Sequence, residues 1–225
     1  MAAAPYQWLV YGGGPLSSNG VDAGGYVASD PSLDRADLQF HFFPGSLRDY
    51  SLAGVIGHQF ALNVYLSRPT SRGKLWLDSS DPFVKPRIRF NYLETEADRA
   101  ALISGVRLAR QVLEAPSLAP FRGEELCPGK SVQSDTEIEE FLRGAVKSAH
   151  HPVGTCAMGI GANAVLDGRL RVHGVKKLRV CDASAMPTIP TSNVNSSVIA
   201  MAERCAQLIV DEGTTAKQEH LWYDP

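Results

Sequence analysis

Two adjacent histidines lie in a short segment whose composition suits a fixed catalytic loop. Residues 148–159 read Ser-Ala-His-His-Pro-Val-Gly-Thr-Cys-Ala-Met-Gly, so Pro152 directly follows the pair His150 and His151. Proline restricts the backbone of the residue before it, which stiffens the chain at His151. A histidine whose ring is held in place can act as a general base. On this segment alone, the alternative of a structural loop histidine stays open.

Two further polar segments follow. Residues 178–184, Leu-Arg-Val-Cys-Asp-Ala-Ser, predict a short strand that ends at Asp182. Open α/β sheets place ligand contacts at the carboxyl ends of strands, so Asp182 could hold a hydroxyl group. It could equally cap the next segment as a solvated turn residue. Residues 191–197, Thr-Ser-Asn-Val-Asn-Ser-Ser, carry Asn193 and Asn195 before an apolar helix, which by itself is ordinary N-cap material.

Alternating apolar residues predict several strands ahead of these segments. The alternation occurs over residues 38–43, 59–66, 74–77 and 87–90. Asp-Pro and Lys-Pro pairs, which interrupt strands, separate the last two of these runs. No helical pattern separates these strands, and strands in direct succession favour antiparallel pairing. We therefore expect an antiparallel sheet.

Helical spacing replaces the alternation after residue 95. Apolar residues recur from Leu102 to Leu113, Thr95 can cap the start of this helix and Pro116 ends it. A second helix opens with the capping-box sequence Ser134–Glu137. It should bury the apolar residues Ile138, Phe141, Leu142 and Ala145.

A third helix is predicted from about residue 194 to residue 211. Its apolar stripe consists of Val198, Met201, Cys205 and Leu208. Together with the sheet and the first two helices, it predicts the fold class α+β, an antiparallel sheet covered by helices plus a C-terminal strand–helix segment.

Composition excludes several classes of protein. The 225 residues are 44% apolar and 20% charged, which is typical of a globular protein. A net charge of −2 without a basic cluster argues against a protein that binds nucleic acid. No apolar stretch is long enough to span a membrane. The four cysteines form no Cys-x-x-Cys pair, so we predict reduced thiols, no metal and a cytoplasmic location.

The combination of motifs resembles the C-terminal region of the glucose-methanol-choline (GMC) oxidoreductases, in particular their choline dehydrogenase-like branch. Besides the three segments above, four stretches carry the resemblance in the same order. They are Pro15-Leu-Ser-Ser-Asn19, Ala23-Gly-Gly-Tyr26, Arg68-Pro-Thr-Ser-Arg-Gly73 and Pro86-Arg-Ile-Arg-Phe-Asn-Tyr92. The resemblance implies a substrate-binding domain over residues 1–148 and a segment over 149–225 that completes an FAD-binding domain.

The resemblance also implies roles for individual residues. FAD is the implied cofactor, and the reaction is oxidation of a primary alcohol to an aldehyde. His151 would remove the hydroxyl proton while the hydride passes to flavin N5, and Asn193 would orient the substrate oxygen. As implied contacts, Asp182 and Ala183 approach the ribityl and pyrophosphate region, Asn195 lies near the isoalloxazine ring, and His150 lines the substrate pocket.

One expected element of such enzymes has no match in the sequence. A dinucleotide-binding unit places G-x-G-x-x-G between a strand and a helix, whereas here Gly12-Gly-Gly14 is followed by Pro15 and by no helical run. We therefore predict that a partner chain or a missing N-terminal half carries this motif. A non-catalytic fragment or binding module and a flavin-containing hydroxynitrile lyase stay open as alternatives. If the dinucleotide half is absent, the apolar stripe of the last helix should be left exposed.

Overall fold

The structure is a computed structural model that describes residues 4–14, 17–45 and 59–221. Pro15 and Leu16, which begin the first of the resembling motifs, lie outside this part. The chain divides into two compact units. Unit 1 consists of Met1–Ser71 and Leu93–Val146, and unit 2 consists of Arg72–Tyr92 and Lys147–Pro225.

Unit 1 opens with a helix that the sequence analysis did not predict. Helix α1 spans Ala4–Tyr11, and the amide of Gly12 donates to the Trp8 carbonyl at 3.0 Å. Gly12 has a φ of +63°, the left-handed conformation that ends helices. The glycines at 12–14 therefore follow a helix instead of opening one, as the dinucleotide motif would require.

A three-stranded antiparallel sheet forms the centre of unit 1. Its strands are β1 (Ala23–Val27), β2 (Leu38–Phe43) and β3 (Ala61–Leu66), paired in the order β1-β2-β3. In this register Phe40 lies opposite Gly25 on one side and Val64 on the other. The alternation in β2 puts the fully buried Leu38 and the buried Phe40 on one face. The predicted antiparallel sheet is confirmed.

Two helices complete unit 1, and both begin at the predicted residues. Helix α2 spans Glu96–Leu113 with Thr95 as N-cap, and helix α3 spans Asp135–Ala145 with the full capping box of Ser134 and Glu137. The shared core of these helices consists of Leu93, Leu102, Val106, Ile138 and Leu142. Contrary to the prediction, Ala145 is exposed, because α3 ends there.

Helix α2 lies very close to the sheet at Gly105. A Cβ atom at this position would come within 2.7 Å of the Val64 side chain and 3.2 Å of the Leu38 side chain. The contact distance therefore requires glycine, and it confirms that the long amphipathic helix covers the sheet.

A buried carboxylate fixes the start of α2. Asp98 is 4% exposed and accepts hydrogen bonds from the amides of Thr70 and Ser71, each at 2.8 Å. The Thr70 hydroxyl also donates to it at 2.8 Å. Asp98 thus holds residues 70–71, where the chain leaves unit 1, against residues near 95, where it has returned.

Unit 2 has little regular structure apart from one hairpin and one long helix. The hairpin pairs β4 (Lys74–Trp76) with β5 (Arg87–Arg89), separately from the sheet of unit 1. Helix α4 spans Asn195–Leu221 and so extends beyond the predicted end. The strand predicted at 178–182 is absent as a strand. Only an isolated bridge between Arg179 and Arg171 forms there, because the neighbouring segments turn after one or two residues.

The core of unit 2 lies between these loops and α4. It consists of Leu166, Leu170, Ala185 and Cys205, with Met201 packed against it. Of the predicted stripe of α4, Cys205 and Leu208 are buried and Val198 and Met201 are half-buried, contrary to the expectation that an absent domain would leave the stripe exposed. Within the described ranges, no helix has the length and apolar character needed to cross a membrane.

Candidate active site

The backbone around the two histidines has an unusual conformation. His150 has a φ of +63°, which is uncommon for a residue with a side chain, and its amide donates to the Ser148 hydroxyl at 2.9 Å. The left-handed residue redirects the chain immediately before His151, and Pro152 restricts it immediately afterwards. The backbone at His151 is thus restricted on both sides, by Pro152 as the sequence indicates and by His150, which the sequence did not indicate.

The His151 imidazole is half-buried. In the part of the chain that the structure describes, it has no hydrogen-bond partner. His173 in the same unit differs, since its Nε2 lies 3.3 Å from the Gly159 carbonyl oxygen. An imidazole that has no hydrogen-bond partner within the described residues is available to exchange a proton with a ligand.

Backbone hydrogen bonds hold the histidine loop against the turn after residue 181. The amide of Cys156 donates to the Ser184 carbonyl at 3.0 Å, and that of Met158 to the Ala185 carbonyl at 2.9 Å. Gly154 has a φ of +90°, and a Cβ there would lie 3.6 Å from the Met186 carbonyl oxygen. The loop of His151 and the turn that begins at Asp182 are therefore neighbours.

Asp182 acts as a cap for that turn. Its Oδ1 accepts from the Ser184 amide at 2.8 Å and also from the Ser184 hydroxyl, at the start of a short 3-10 turn over Ala183–Ala185. Of the two interpretations of the sequence, the structure shows the capping one. No partner in the described residues contacts Oδ2, which leaves one oxygen of this exposed carboxylate for a ligand. Ala183, the next residue, is half-buried.

The two asparagines flank a buried residue at the start of α4. Val194 is 8% exposed, whereas Asn193 and Asn195 on either side of it are exposed. The Val198 amide donates to the Val194 carbonyl at 2.9 Å, so the first turn of α4 is formed. Val194 thereby anchors the segment while both carboxamides stay at the surface, next to the positive end of the helix dipole.

The three polar segments are attached to the same core. The Cys181 thiol donates to the Met201 carbonyl at 3.5 Å, which joins the segment before Asp182 to α4. Burial raises the pKa of the Cys181 thiol, and its neighbour Cys205 raises it further. Among the described residues, the His151 ring and the Asn193 carboxamide do not hydrogen-bond to each other. The structure thus places both in unit 2, with no hydrogen bond between them in the described residues.

Sequence reasoning missed a second group of polar residues, which lies in unit 1. The His41 ring is centred 4.8 Å from the Tyr65 ring, and the Asn63 amide donates to the Tyr65 hydroxyl at 3.3 Å. His41 lies opposite Asn63 in the sheet, on the face away from Leu38 and Phe40. Burial lowers the pKa of His41, which favours the neutral ring. The strand alternation could have predicted this group, because it assigns these residues to the same face.

Unit 2 contains donor groups of the kind that would hold a flavin. They are the amides of the first turn of α4 and the exposed carboxamides of Asn193 and Asn195. Among the described helices, none begins at a glycine turn after a strand, so the cradle for a pyrophosphate is not among these residues. No three His, Cys, Asp or Glu side chains of the described ranges converge on a metal position.

The chain is similar to known proteins in sequence and in fold. Residues 69–202 match the family model described as GMC oxidoreductase. The oxygen-dependent choline dehydrogenase of Pseudomonas aeruginosa (strain LESB58) is 43% identical over 203 residues, which are 90% of this chain and 36% of the relative. That of Acinetobacter baumannii (strain AYE) is 40% identical over 90% of this chain and 37% of its own length. The chain thus spans little more than a third of these relatives.

Solved structures of similar fold are oxidases. Pyridoxine 4-oxidase from Mesorbium loti has a TM-score of 0.77 and 27% identity, over 84% of this chain and 37% of that one. Formate oxidase has a TM-score of 0.83 and 26% identity, over 95% and 42%. The GMC family and these neighbours are FAD-binding flavoproteins, and the predicted fold class is confirmed. The chain therefore belongs to the GMC oxidoreductase family.

Proposed function

We propose that this chain is the C-terminal part of an FAD-dependent oxidoreductase that converts a primary alcohol to an aldehyde. A partner chain or additional N-terminal sequence would supply the dinucleotide-binding half. Residues 1–148 would form the substrate-binding domain, and residues 149–225 would complete the FAD-binding domain. The observation that carries the proposal is half-buried His151, which lies in a backbone restricted by His150 and Pro152 and whose ring has no hydrogen-bond partner among the described residues.

His151 would act as the general base for the substrate hydroxyl. Its neutral imidazole has one nitrogen with a free lone pair, and this nitrogen accepts the hydroxyl proton. A carboxamide cannot take up a proton, so Asn193 would hydrogen-bond to the substrate oxygen and keep it next to His151. FAD, when bound, supplies the acceptor for the hydride from the substrate carbon. Loss of one proton and one hydride converts the alcohol to the aldehyde.

The neighbouring residues would hold the cofactor and shape the pocket. Asp182 keeps one carboxylate oxygen for a ribityl hydroxyl, and Ala183 gives the backbone a close approach beside it. Asn195 would lie next to the isoalloxazine ring, where the start of α4 favours negative charge. His150 is exposed, with its backbone in a strained conformation, and would line the substrate pocket.

The test is anaerobic bleaching of the flavin by alcohols. The chain would be assembled with a dinucleotide-binding half, and the visible spectrum recorded before and after primary alcohols are added. Choline belongs among the first alcohols, because the relatives at 40–43% identity are named for it. A flavin spectrum that bleaches with a primary alcohol supports the proposal. An assembly without flavin, or a flavin that no alcohol reduces, contradicts it.

A further inference from the structure

Two of the four cysteines lie next to each other in the core of unit 2. All four are free thiols, of which Cys127 is exposed, Cys156 and Cys181 are half-buried and Cys205 is buried. Cys181 precedes the turn that begins at Asp182, whereas Cys205 lies within α4. The two cysteines are far apart in the sequence, and the packing of α4 on the core brings them together.

The position of α4 places the two thiols side by side. The Cys181 Sγ lies 3.5 Å from the Met201 carbonyl oxygen. Met201 precedes Cys205 by one turn of α4, and a helical side chain inclines toward the N-terminus of its helix, over the preceding turn. The Cys205 side chain thus reaches the Cys181 thiol, and the two thiols are hydrogen-bond partners. Sulfur atoms held this close can bond to each other with little movement of the backbone.

We propose that Cys181 and Cys205 are a modification site at which hydrogen peroxide forms an intramolecular disulfide. This inference goes beyond the proposed function and does not depend on it. Hydrogen peroxide is small enough to reach the half-buried Cys181, whereas Cys205 is only 5% exposed and reacts second. The pair is reduced in the structure, as the sequence predicts, and its oxidation requires no other cysteine.

The reaction has two steps. The Cys181 sulfur, as thiolate, attacks one oxygen of the peroxide, the O–O bond breaks, and the leaving hydroxide takes up the thiol proton to form water. Cys181 is then a sulfenic acid. The Cys205 sulfur attacks the Cys181 sulfur, the S–O bond breaks, and a second water leaves. Two thiols thus lose two electrons and two protons in total, and one peroxide becomes two waters.

The surroundings of Cys181 set the rate of the first step. Burial raises the pKa of its thiol, and Cys205 and Asp182 raise it further, so little thiolate is present at neutral pH. The first step is therefore slow, and the pair stays reduced when peroxide is scarce. The second step is fast, because Cys205 is already in place.

The disulfide would close residues 182–204 into a loop. This loop contains Asp182, Asn193 and Asn195. A bond that closes a loop of about 25 residues restricts the unfolded chain, so oxidation should raise the melting temperature by about 5–10 °C.

Peptide mapping after peroxide treatment tests the inference. The 225-residue chain carries Cys127→Ser, which removes the exposed thiol that could link two chains. It is treated with hydrogen peroxide, unfolded, alkylated and digested without reduction. We expect a linked Cys181–Cys205 peptide, one alkylatable thiol in place of three, and all three again after reduction with dithiothreitol. Three alkylatable thiols, a bond from Cys181 to Cys156, or oxidation of single sulfurs without a bond would overturn the inference.

Matched variants and the melting temperature complete the test. Cys156→Ala, in the same unit, should still form the disulfide, whereas Cys205→Ala should lose it. The mapping itself needs no substitution in the core, so it decides the question even where Cys205→Ala does not fold. Oxidised Cys127→Ser should melt at the higher temperature given above. An unchanged or lower melting temperature would show that the bond strains the core, and would contradict the inferred placement of the two thiols.

Discussion

The two units of this chain achieve order in different ways. Unit 1 is a three-stranded sheet with capped amphipathic helices, and its core consists of residues at regular helical and strand spacing. Unit 2 has few regular elements, and its loops are held by backbone hydrogen bonds, turn caps and ion pairs. One example is Glu212 of α4, which binds Arg169 at 2.9 Å and also binds Arg179. The comparison teaches that the fold and the candidate site depend on different signals in the sequence.

The largest effect on stability should come from truncating the core of unit 2. Leu166 is fully buried, so Leu166→Ala should cost about 2–5 kcal/mol of unfolding free energy. Hydrogen exchange would show lost protection at the amides of Cys156, Met158 and Val172, whose bonds hold the loops. Leu38→Ala is the matched truncation in unit 1, because Leu38 is equally buried. If Leu166→Ala removed as much protection from β2 and β3 as from the loops of unit 2, the difference between the two units would be contradicted.

The next largest effect should come from the buried carboxylate of unit 1. Asp98→Ala removes the acceptor of the Thr70 and Ser71 amides and should cost about 2–3 kcal/mol. Thr136→Ala, at an exposed position in the first turn of α3, serves as a control. Chemical denaturation measures the unfolding free energy of both variants. If Asp98→Ala loses no more of it than the control does, the hydrogen bonds that Asp98 accepts from residues 70–71 do not stabilise unit 1.

Acid should remove the contribution of Asp98. Burial by itself would raise the pKa of this carboxyl, but hydrogen bonds from Ser71 and Thr70 outweigh it and leave the pKa below its usual value. A group with a lowered folded pKa stabilises above its unfolded pKa, about 3.9, and loses this as the pH falls through the folded value. The stability difference between wild type and Asp98→Asn should therefore shrink below about pH 4. A difference that is independent of pH would contradict an ionised Asp98.

A smaller effect is expected from the cap of α3. Ser134→Ala removes the hydroxyl that accepts from the Glu137 amide at 3.3 Å and should cost about 1 kcal/mol. Ser131→Ala, three residues earlier and exposed, is the control. Denaturation curves that coincide for Ser134→Ala and wild type would show that the cap contributes nothing.

Most of unit 1 could be predicted from the sequence because local patterns determine it. Thr95 and Ser134 cap helices where predicted, and alternation predicted β2 and β3 but not β1, whose sequence Ala-Gly-Gly-Tyr-Val does not alternate. Helical spacing did not predict the helix at Ala4–Tyr11, because apolar residues occur on every side of it and give no helical period. It also failed at Ala145, because burial at a helix end depends on what lies beyond that end.

Less of the candidate site could be predicted from residue patterns. Alternation around Val180 predicts a strand, yet a strand needs a partner of similar length, and only one bridge forms. The left-handed backbone of His150 and the bonds that join the His151 loop to the Asp182 turn have no local sequence pattern. The site residues were proposed from the resemblance of the motifs to the GMC family, because periodicity does not identify them. The roles of His151 and Asn193 stay predictions.

The most direct test of the account is the rate at which an alcohol reduces the flavin when His151 is replaced. In the assembled enzyme, His151→Ala should slow anaerobic flavin reduction by about 10²–10⁴-fold, because the base acts in the transition state. His173→Ala is the matched control, since His173 lies in the same unit and hydrogen-bonds to a backbone carbonyl. Near wild-type reduction in the control and a large loss in His151→Ala would support the account. An unchanged rate in His151→Ala would contradict it.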